Sequence, residues 1–300
     1  IGQAQALLTC RDTVLRLNEA ATSTTDIRYV WTTSGGNILN GESTPVAAID
    51  APGTYRLTVT DTINGCAASD AVTVTRNVRP PAIDVAPPAV LNCEVVVLNL
   101  DASASDSGQA FSFSWSSANG NILSGADGPT PTLDAAGDYL LTLTNDATGC
   151  TNTETVLVQQ DTLRPVAILL SPSELTCRDS SQILDGSQSD DDLEFGWTWS
   201  TFDGSFVGNV FSLMPTINAA GTYELTIRNL TNGCESLAEV TVSANQQVPD
   251  INVGQDERTL NCIDTSFILG ADAGAVNGLS YAWTEGSAGT VATGPTLEVS

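Results

Sequence analysis

The side chains with the most chemistry in this sequence are seven cysteines, and they form two series. Cys10, Cys93, Cys177 and Cys262 step by 83, 84 and 85 residues, while Cys66, Cys150 and Cys234 step by 84 and each follows a glycine. No CxxC occurs, so the spacing points to structural cystine and away from a redox dithiol or a zinc site. Other chemistry is excluded by composition. The chain of 300 residues has no histidine, and all ten of its basic residues are arginine. A Ser–His–Asp or Cys–His centre and a His-ligated zinc are therefore out of reach. A lysine nucleophile or Schiff base is equally excluded. The reading is that of a non-enzyme.

One cluster has the composition of a cation site. Asp185, Asp190, Asp191 and Asp192 crowd a polar loop before Trp197 and Trp199, and calcium takes six to eight oxygen ligands from such loops. The corresponding loop of the preceding segment keeps only Asp101 and Asp106, so a solvated loop is the first expectation and calcium the alternative. No other cofactor is implied. The net charge of −25 opposes binding to nucleic acid, whose phosphates need cationic partners. It favours solubility and repulsion between neighbouring chains. No apolar run is long enough to span a bilayer.

The elements that must position these groups announce themselves by repetition. Trp31, Trp115, Trp199 and Trp283 sit 84 residues apart, three times over. Gly53-Thr54-Tyr55 returns as Gly137-Asp138-Tyr139 and Gly221-Thr222-Tyr223, and Asn64-Gly65-Cys66 as Thr148-Gly149-Cys150 and Asn232-Gly233-Cys234. An exact long period signals tandem copies of one folding unit. We divide the chain into repeats at 1–77, 78–161, 162–247 and 248–300. The fourth stops at Ser300 before its Gly-x-Tyr and Gly-Cys elements, so the sequence reads as an excerpt of a longer array in which Cys262 would find its partner.

Within the second repeat, 94–100 (EVVVLNL) is rich in β-branched residues and reads as a buried strand. Phe111 to Trp115 and Tyr139 to Thr144 alternate apolar and polar, as half-buried strands do. Segment 82–86 reads as a short edge strand between prolines. About seven short strands with regular turn signals and no helical period predict an all-β fold, a linear array of immunoglobulin-like sandwiches. Trp31, Trp115, Trp199 and Trp283 are expected in the cores. So are Tyr55, Tyr139 and Tyr223, with their hydroxyls bonded to nearby backbone. The third repeat is the most aromatic, with Phe195, Trp197, Phe202, Phe206 and Phe211 divided between the core and an adhesive patch for glycans or a partner.

Two cystine patterns fit. Each complete repeat holds one cysteine of each series, which favours one bridge per repeat: Cys10–Cys66, Cys93–Cys150 and Cys177–Cys234. The sandwich topology argues the other way. It puts the first cysteine near the C-terminal pole of its repeat and the hairpin cysteine at the opposite pole. A strand of seven residues already spans about 23 Å, whereas a bridge needs Cα atoms within about 7 Å. Pairing between neighbours would give Cys10–Cys150 and Cys93–Cys234. We take the intrarepeat set as the expectation, with the first cysteine placed further up its edge strand.

At Trp115, Gly137-Asp138-Tyr139 and Gly149-Cys150, and in phrases such as Leu8-Thr9-Cys10 and Gly53-Thr54-Tyr55-Arg56-Leu57-Thr58-Val59, the chain resembles the PKD/Ig-like tandem repeats of very large surface proteins of Bacteroidota. Gliding adhesins of the SprB type carry related repeats. The resemblance implies a bacterial cell surface, type IX export, and a stalk or adhesin. Its partners would be neighbouring repeats, further copies in a filament, or surface glycans. The alternative is a spacer or carbohydrate-binding segment of a secreted hydrolase. Thr13, Thr62 and Thr162 each follow an aspartate and precede an apolar residue, resembling the O-glycosylation sites of that group.

Overall fold

The computed structural model describes residues 5–18, 26–254, 258–273, 278–287 and 289–300. Among them every regular element is a strand. The first repeat contributes β1 (Gln5–Thr9), β2 (Leu15–Asn18), β3 (Ile27–Ser34), β4 (Ile38–Asn40), β5 (Val46–Ile49), β6 (Gly53–Asp61) and β7 (Ala67–Asn77). These form two sheets, in the orders β1-β7-β6-β3 and β2-β5-β4. Alternation in β6 turns Tyr55 and Leu57 inward, and they meet Leu8, Trp31, Val72 and Val74 from the same sheet and Leu17, Ala47 and Ile49 from the other. This is the immunoglobulin-like sandwich, whose two inner faces supply the core.

The second repeat builds the same layers from Phe111–Ser117, Gly137–Asn145 and Cys150–Val158 on one side, and Leu98–Asn99, Ile122–Ser124 and Thr132–Leu133 on the other. The third does so with Phe195–Thr201, Gly221–Asn229 and Glu235–Val242 against Gln182–Ile183, Phe206–Val207 and Thr216–Ile217. In the fourth, Phe267–Gly270 pairs with Thr296–Val299, and Ala282–Thr284 with Thr290–Thr293. By contact density the chain forms two compact units. One comprises residues 1–164 with 228–235, and the other 165–227 with 236–300. The hairpin tip of the third repeat thus belongs with the first two repeats.

One pairing fixes the position of the cysteines. β1 runs parallel to β7, from Gln5 opposite Thr73 to Thr9 opposite Asn77. Leu91 bridges Gln160 in the same parallel sense, and Leu175–Thr176 pairs with Ala244–Asn245. Each first cysteine therefore leaves its repeat beside the end of the last strand.

Two strand expectations need correction. Only Leu98–Asn99 of 94–100 is a strand. Val95, Val96 and Val97 are exposed, because a tight turn at residues 92–95 takes up the chain where the valine run would have paired. Segment 82–86 forms no strand, although Ile83 and Val85 pack on the core and Ala86 donates its amide to the Asp101 carbonyl at 2.8 Å.

Candidate functional site

Two local structures carry the cysteines, a hairpin made in each of the first three repeats and a turn that recurs from repeat to repeat. The first is the hairpin between the last two long strands. In the second repeat Asn145 accepts the amides of Ala147 and Thr148 on its side-chain oxygen, and the Gly149 amide returns to the Asn145 carbonyl at 2.7 Å. Gly149 closes the loop at φ +70°, a conformation that glycine adopts without the steric cost a side chain brings. Asn229 and Gly233 repeat the arrangement, as do Asp61 and Gly65. The cysteine follows the glycine at the start of the returning strand: Cys150 is its first residue, and Cys66 and Cys234 immediately precede theirs.

The second structure is the turn that holds the first cysteine. The Thr9 amide donates to the Asp12 carbonyl at 3.0 Å, and the Asp12 amide donates back to the Thr9 hydroxyl at 2.9 Å. Asn92 does the same work around Cys93, with its side-chain oxygen accepting the amides of Glu94 and Val95. Thr176 and Asp179 frame Cys177 in the same way.

Turn meets hairpin across the junction between repeats. Cys10 is bonded to Cys150 and Cys93 to Cys234, each with a Cα separation of 5.0 Å. The intrarepeat pairs Cys10–Cys66, Cys93–Cys150 and Cys177–Cys234 are therefore not formed, and the geometry says why. Cys10 lies past Thr9, opposite the last residue of β7, while Cys66 precedes its first. The 11 residues of that strand span roughly 33 Å at about 3.3 Å each. Cys66, Cys177 and Cys262 are exposed free thiols.

Docking accompanies the covalent bond. The Arg11 amide donates to the Thr148 carbonyl at 3.0 Å, and the Cys93 amide to the Asn232 carbonyl at 3.1 Å. Each docked hairpin also clasps the chain segment leading into its own repeat. Asn152 donates its side-chain amide to the Pro81 carbonyl at 3.0 Å. Asn232 donates to the Leu163 carbonyl at 2.9 Å and to the Asp161 carboxylate at 3.0 Å, and Arg164 donates to the Glu235 carbonyl at 2.8 Å. Cys150 and Cys234 are 0 % exposed and Asn232 is 1 % exposed, whereas Asn64 and Cys66 of the first hairpin lie open.

Electrostatics distinguish the second junction. Glu94, next to Cys93, and Glu235, next to Cys234, both bind the Arg228 guanidinium; the Arg228–Glu235 contact is 2.8 Å. The hydrogen bond that Arg228 donates to Glu235 first, then the field of Glu94, raise the Arg228 pKa above its already high ordinary value. Neither glutamate was singled out by sequence. The available signal was the opposite charges of Glu94 and Arg228, 134 residues apart in sequence, legible only once the pairing of Cys93 with Cys234 is known.

The remaining candidates fall apart spatially. The Asp185 carboxylate accepts the Ser187 amide at 3.0 Å and Asp190 the Val166 amide at 2.8 Å. Asp192 offers its backbone carbonyl to Phe195, and Asp191 is exposed. Two of the four carboxylates thus hold the loop itself, and among the described residues no group of three or more acidic, Cys or His side chains converges on one point. The calcium alternative has no set of converging ligands. Hydrogen bonds from the Ser187 hydroxyl and amide lower the Asp185 pKa, and Ser103 lowers that of Asp101 likewise.

Trp31, Trp115 and Trp199 lie buried, and Trp283 half-buried. Their indoles donate to the carbonyls of Thr44, Gly128, Ser212 and Gly294. Tyr55, Tyr139 and Tyr223 are fully buried, with hydroxyls donating to Ala51, Ala135 and Ala219. Of the third-repeat aromatics, Phe206 stands edge-on to Trp199 and Tyr223. Phe195 and Trp197 pack on the core, and Phe202 and Phe211 face outward. Thr13, Thr62 and Thr162 are exposed, and the Thr62 hydroxyl donates to the Asp26 carbonyl.

No family model matches the chain, and no curated protein does. Solved structures of tandem domains are similar in part. Extracellular domains 3–5 of Drosophila OTK share 13 % identity at TM-score 0.28, covering 82 % of this chain and 95 % of that one. Three N-terminal domains of the outer capsid protein Hoc of bacteriophage RB49 share 10 % at 0.32, covering 81 % and 97 %. Titin domains A168–A170 share 14 % at 0.27, covering 77 % and 93 %. Likeness at this level assigns neither family nor activity.

Proposed function

We propose that this chain works as a structural and adhesive repeat array, an extracellular stalk or filament on a bacterial cell surface, in which disulfides limit extension. The stagger of the two bonds carries this reading. A bond inside one sandwich would harden a bead, whereas a bond from the turn of one repeat to the hairpin of the next restrains the junction. Persisting cystines also favour an oxidising, extracellular setting. The charge of −25 keeps such a polymer soluble and its copies apart. The resemblance to surface repeats of Bacteroidota supplies the finer part of the proposal: type IX export and a place in an adhesin of the gliding type.

The mechanical consequence is measurable. In the oxidised chain the shortest covalent route from residue 10 to residue 234 crosses to Cys150, runs back to Cys93 and crosses again. It contains the 57 residues between 93 and 150, against 224 when the bonds are reduced. At about 3.6 Å per extended residue these are roughly 200 and 800 Å. Single-molecule stretching of the chain, with and without reductant, should show that difference in final contour length. Equal lengths in both conditions would remove the support for a disulfide-limited stalk.

A further inference from the structure

The reading of a stapled array leaves one question of specificity open. Seven thiols are present before oxidation, three of them, Cys66, Cys177 and Cys262, exposed and free in the folded chain. All lie in the same two local structures, so the cysteine turns and Gly-Cys hairpins are nearly interchangeable in backbone. Cys93 must nevertheless find Cys234. We propose that the Glu94–Arg228–Glu235 ion triad is a docking key that selects this partner: the Gly-Cys hairpin of the third repeat recognises the Cys93 turn by charge before the sulfurs bond.

Three observations carry the proposal, which rests on the stapled-array reading. Glu94 follows the first cysteine directly, and Arg228 and Glu235 pair within the hairpin that carries the second, so Glu94 meets Arg228 only when the correct sulfurs meet. The equivalent residues of the second hairpin, Thr144 and Thr151, are uncharged, so that hairpin offers Glu94 no cation. The side chains of the triad are 44–59 % exposed. Exposed pairs add little to stability, but charge complementarity governs encounter and discriminates against wrong partners. In oxidation by a disulfide such as glutathione disulfide, the Cys93 thiolate attacks the oxidant and releases one glutathione thiol. The Cys234 thiolate then displaces the second, two protons in all leave the protein thiols, and two electrons reduce the oxidant. The key acts on the second attack, by deciding which thiolate lies within reach.

The test is reoxidation of the reduced full chain in a glutathione buffer at low salt, with pairings read by non-reducing peptide mass spectrometry. Wild type should give Cys10–Cys150 and Cys93–Cys234. Arg228→Glu gathers three carboxylates, and the yield of Cys93–Cys234 relative to other fates of Cys93 should fall about fivefold. Cys10–Cys150 should stay unchanged as the internal control of folding. Arg228→Glu with Glu94→Arg should restore the pairing, and 1 M salt should weaken the selectivity of wild type. Failure of wild type to form either staple would overturn the array reading itself. Normal staples in wild type with equal Cys93–Cys234 yield in Arg228→Glu, or no recovery in the double variant, would overturn only the key.

Discussion

The two stapled junctions use one skeleton and different side chains. Both join a cysteine turn to a Gly-Cys hairpin at a Cα separation of 5.0 Å. Both offer the carbonyl two residues before the hairpin cysteine, Thr148 or Asn232, to an amide of the turn. Yet the donor is Arg11 in one and Cys93 in the other, a slip of one residue along the turn. At the first junction the Arg11 side chain lies over Gly149, and a single side-chain amide, that of Asn152, clasps the Pro81 carbonyl. At the second, Glu94 lies over Gly233 within an ion triad, and Asn232 and Arg164 close the segment beneath. The covalent and backbone parts are common property of the repeat. The side-chain parts are private to each junction, which is what a set of distinguishable joints needs.

The hairpin glycines break this comparison most severely. Gly65, Gly149 and Gly233 share a φ of 70–77°. A Cβ at Gly65 meets nothing within 4 Å, whereas one at Gly149 comes within 2.7 Å of the Arg11 Cβ, and one at Gly233 within 2.2 Å of the Glu94 Cγ. Gly65→Ala should therefore cost only the backbone strain, about 1–2 kcal/mol in thermal or denaturant unfolding. Gly149→Ala should add loss of docking, seen as faster exchange of the Arg11 amide and a staple reduced more readily by dithiothreitol. Gly233→Ala should fall between them, because the Glu94 side chain can swing aside. Equal behaviour of all three would mean that the hairpins do not dock as described.

The clasps sharpen the comparison by a smaller amount. Asn232 is buried, donates twice, and its side-chain oxygen accepts the Cys234 amide at 2.9 Å. Asn232→Ala should destabilise by about 1–3 kcal/mol, and Asn152→Ala, with its one clasp, by about 0.5–1.5 kcal/mol. Calorimetry of the two variants side by side checks the order. The weakest expected difference is in salt. Raising it to about 1 M should speed exchange of the Cys93 amide and leave that of Arg11 unchanged, because the Debye length shrinks to about 3 Å and only the second junction holds an ion triad.

The repeat and its sandwich were legible because Trp31, Trp115 and Trp199 each do the same work, filling a core and donating to a carbonyl 13 residues on. Such residues leave a period in the sequence. The disulfide partners were not legible by counting, since one cysteine of each kind per repeat satisfies both patterns. The deciding fact is long-range: β1 joins β7 in parallel and delivers Thr9 to Asn77, so Cys10 emerges at the pole away from Cys66. The valines at 95–97 misled for a related reason. Their β-branched character is real, but the turn around Cys93 serves the next repeat and pre-empts the strand. Glu94 and Arg228 left no trace in the period because they are where the repeats differ.

The two disulfide-closed segments overlap, 10–150 with 93–234, and this bears on survival outside a cell. A protease that cuts one peptide bond anywhere from Arg11 to Gly233 cuts inside at least one closed ring, so no fragment is released. Two cuts are needed before a piece can leave, and both must fall within one stretch between consecutive bonded cysteines, 10–93, 93–150 or 150–234. A surface built this way tolerates a first wound at any loop or connection between Cys10 and Cys234 and keeps the two sides of that cut attached while reductant is absent.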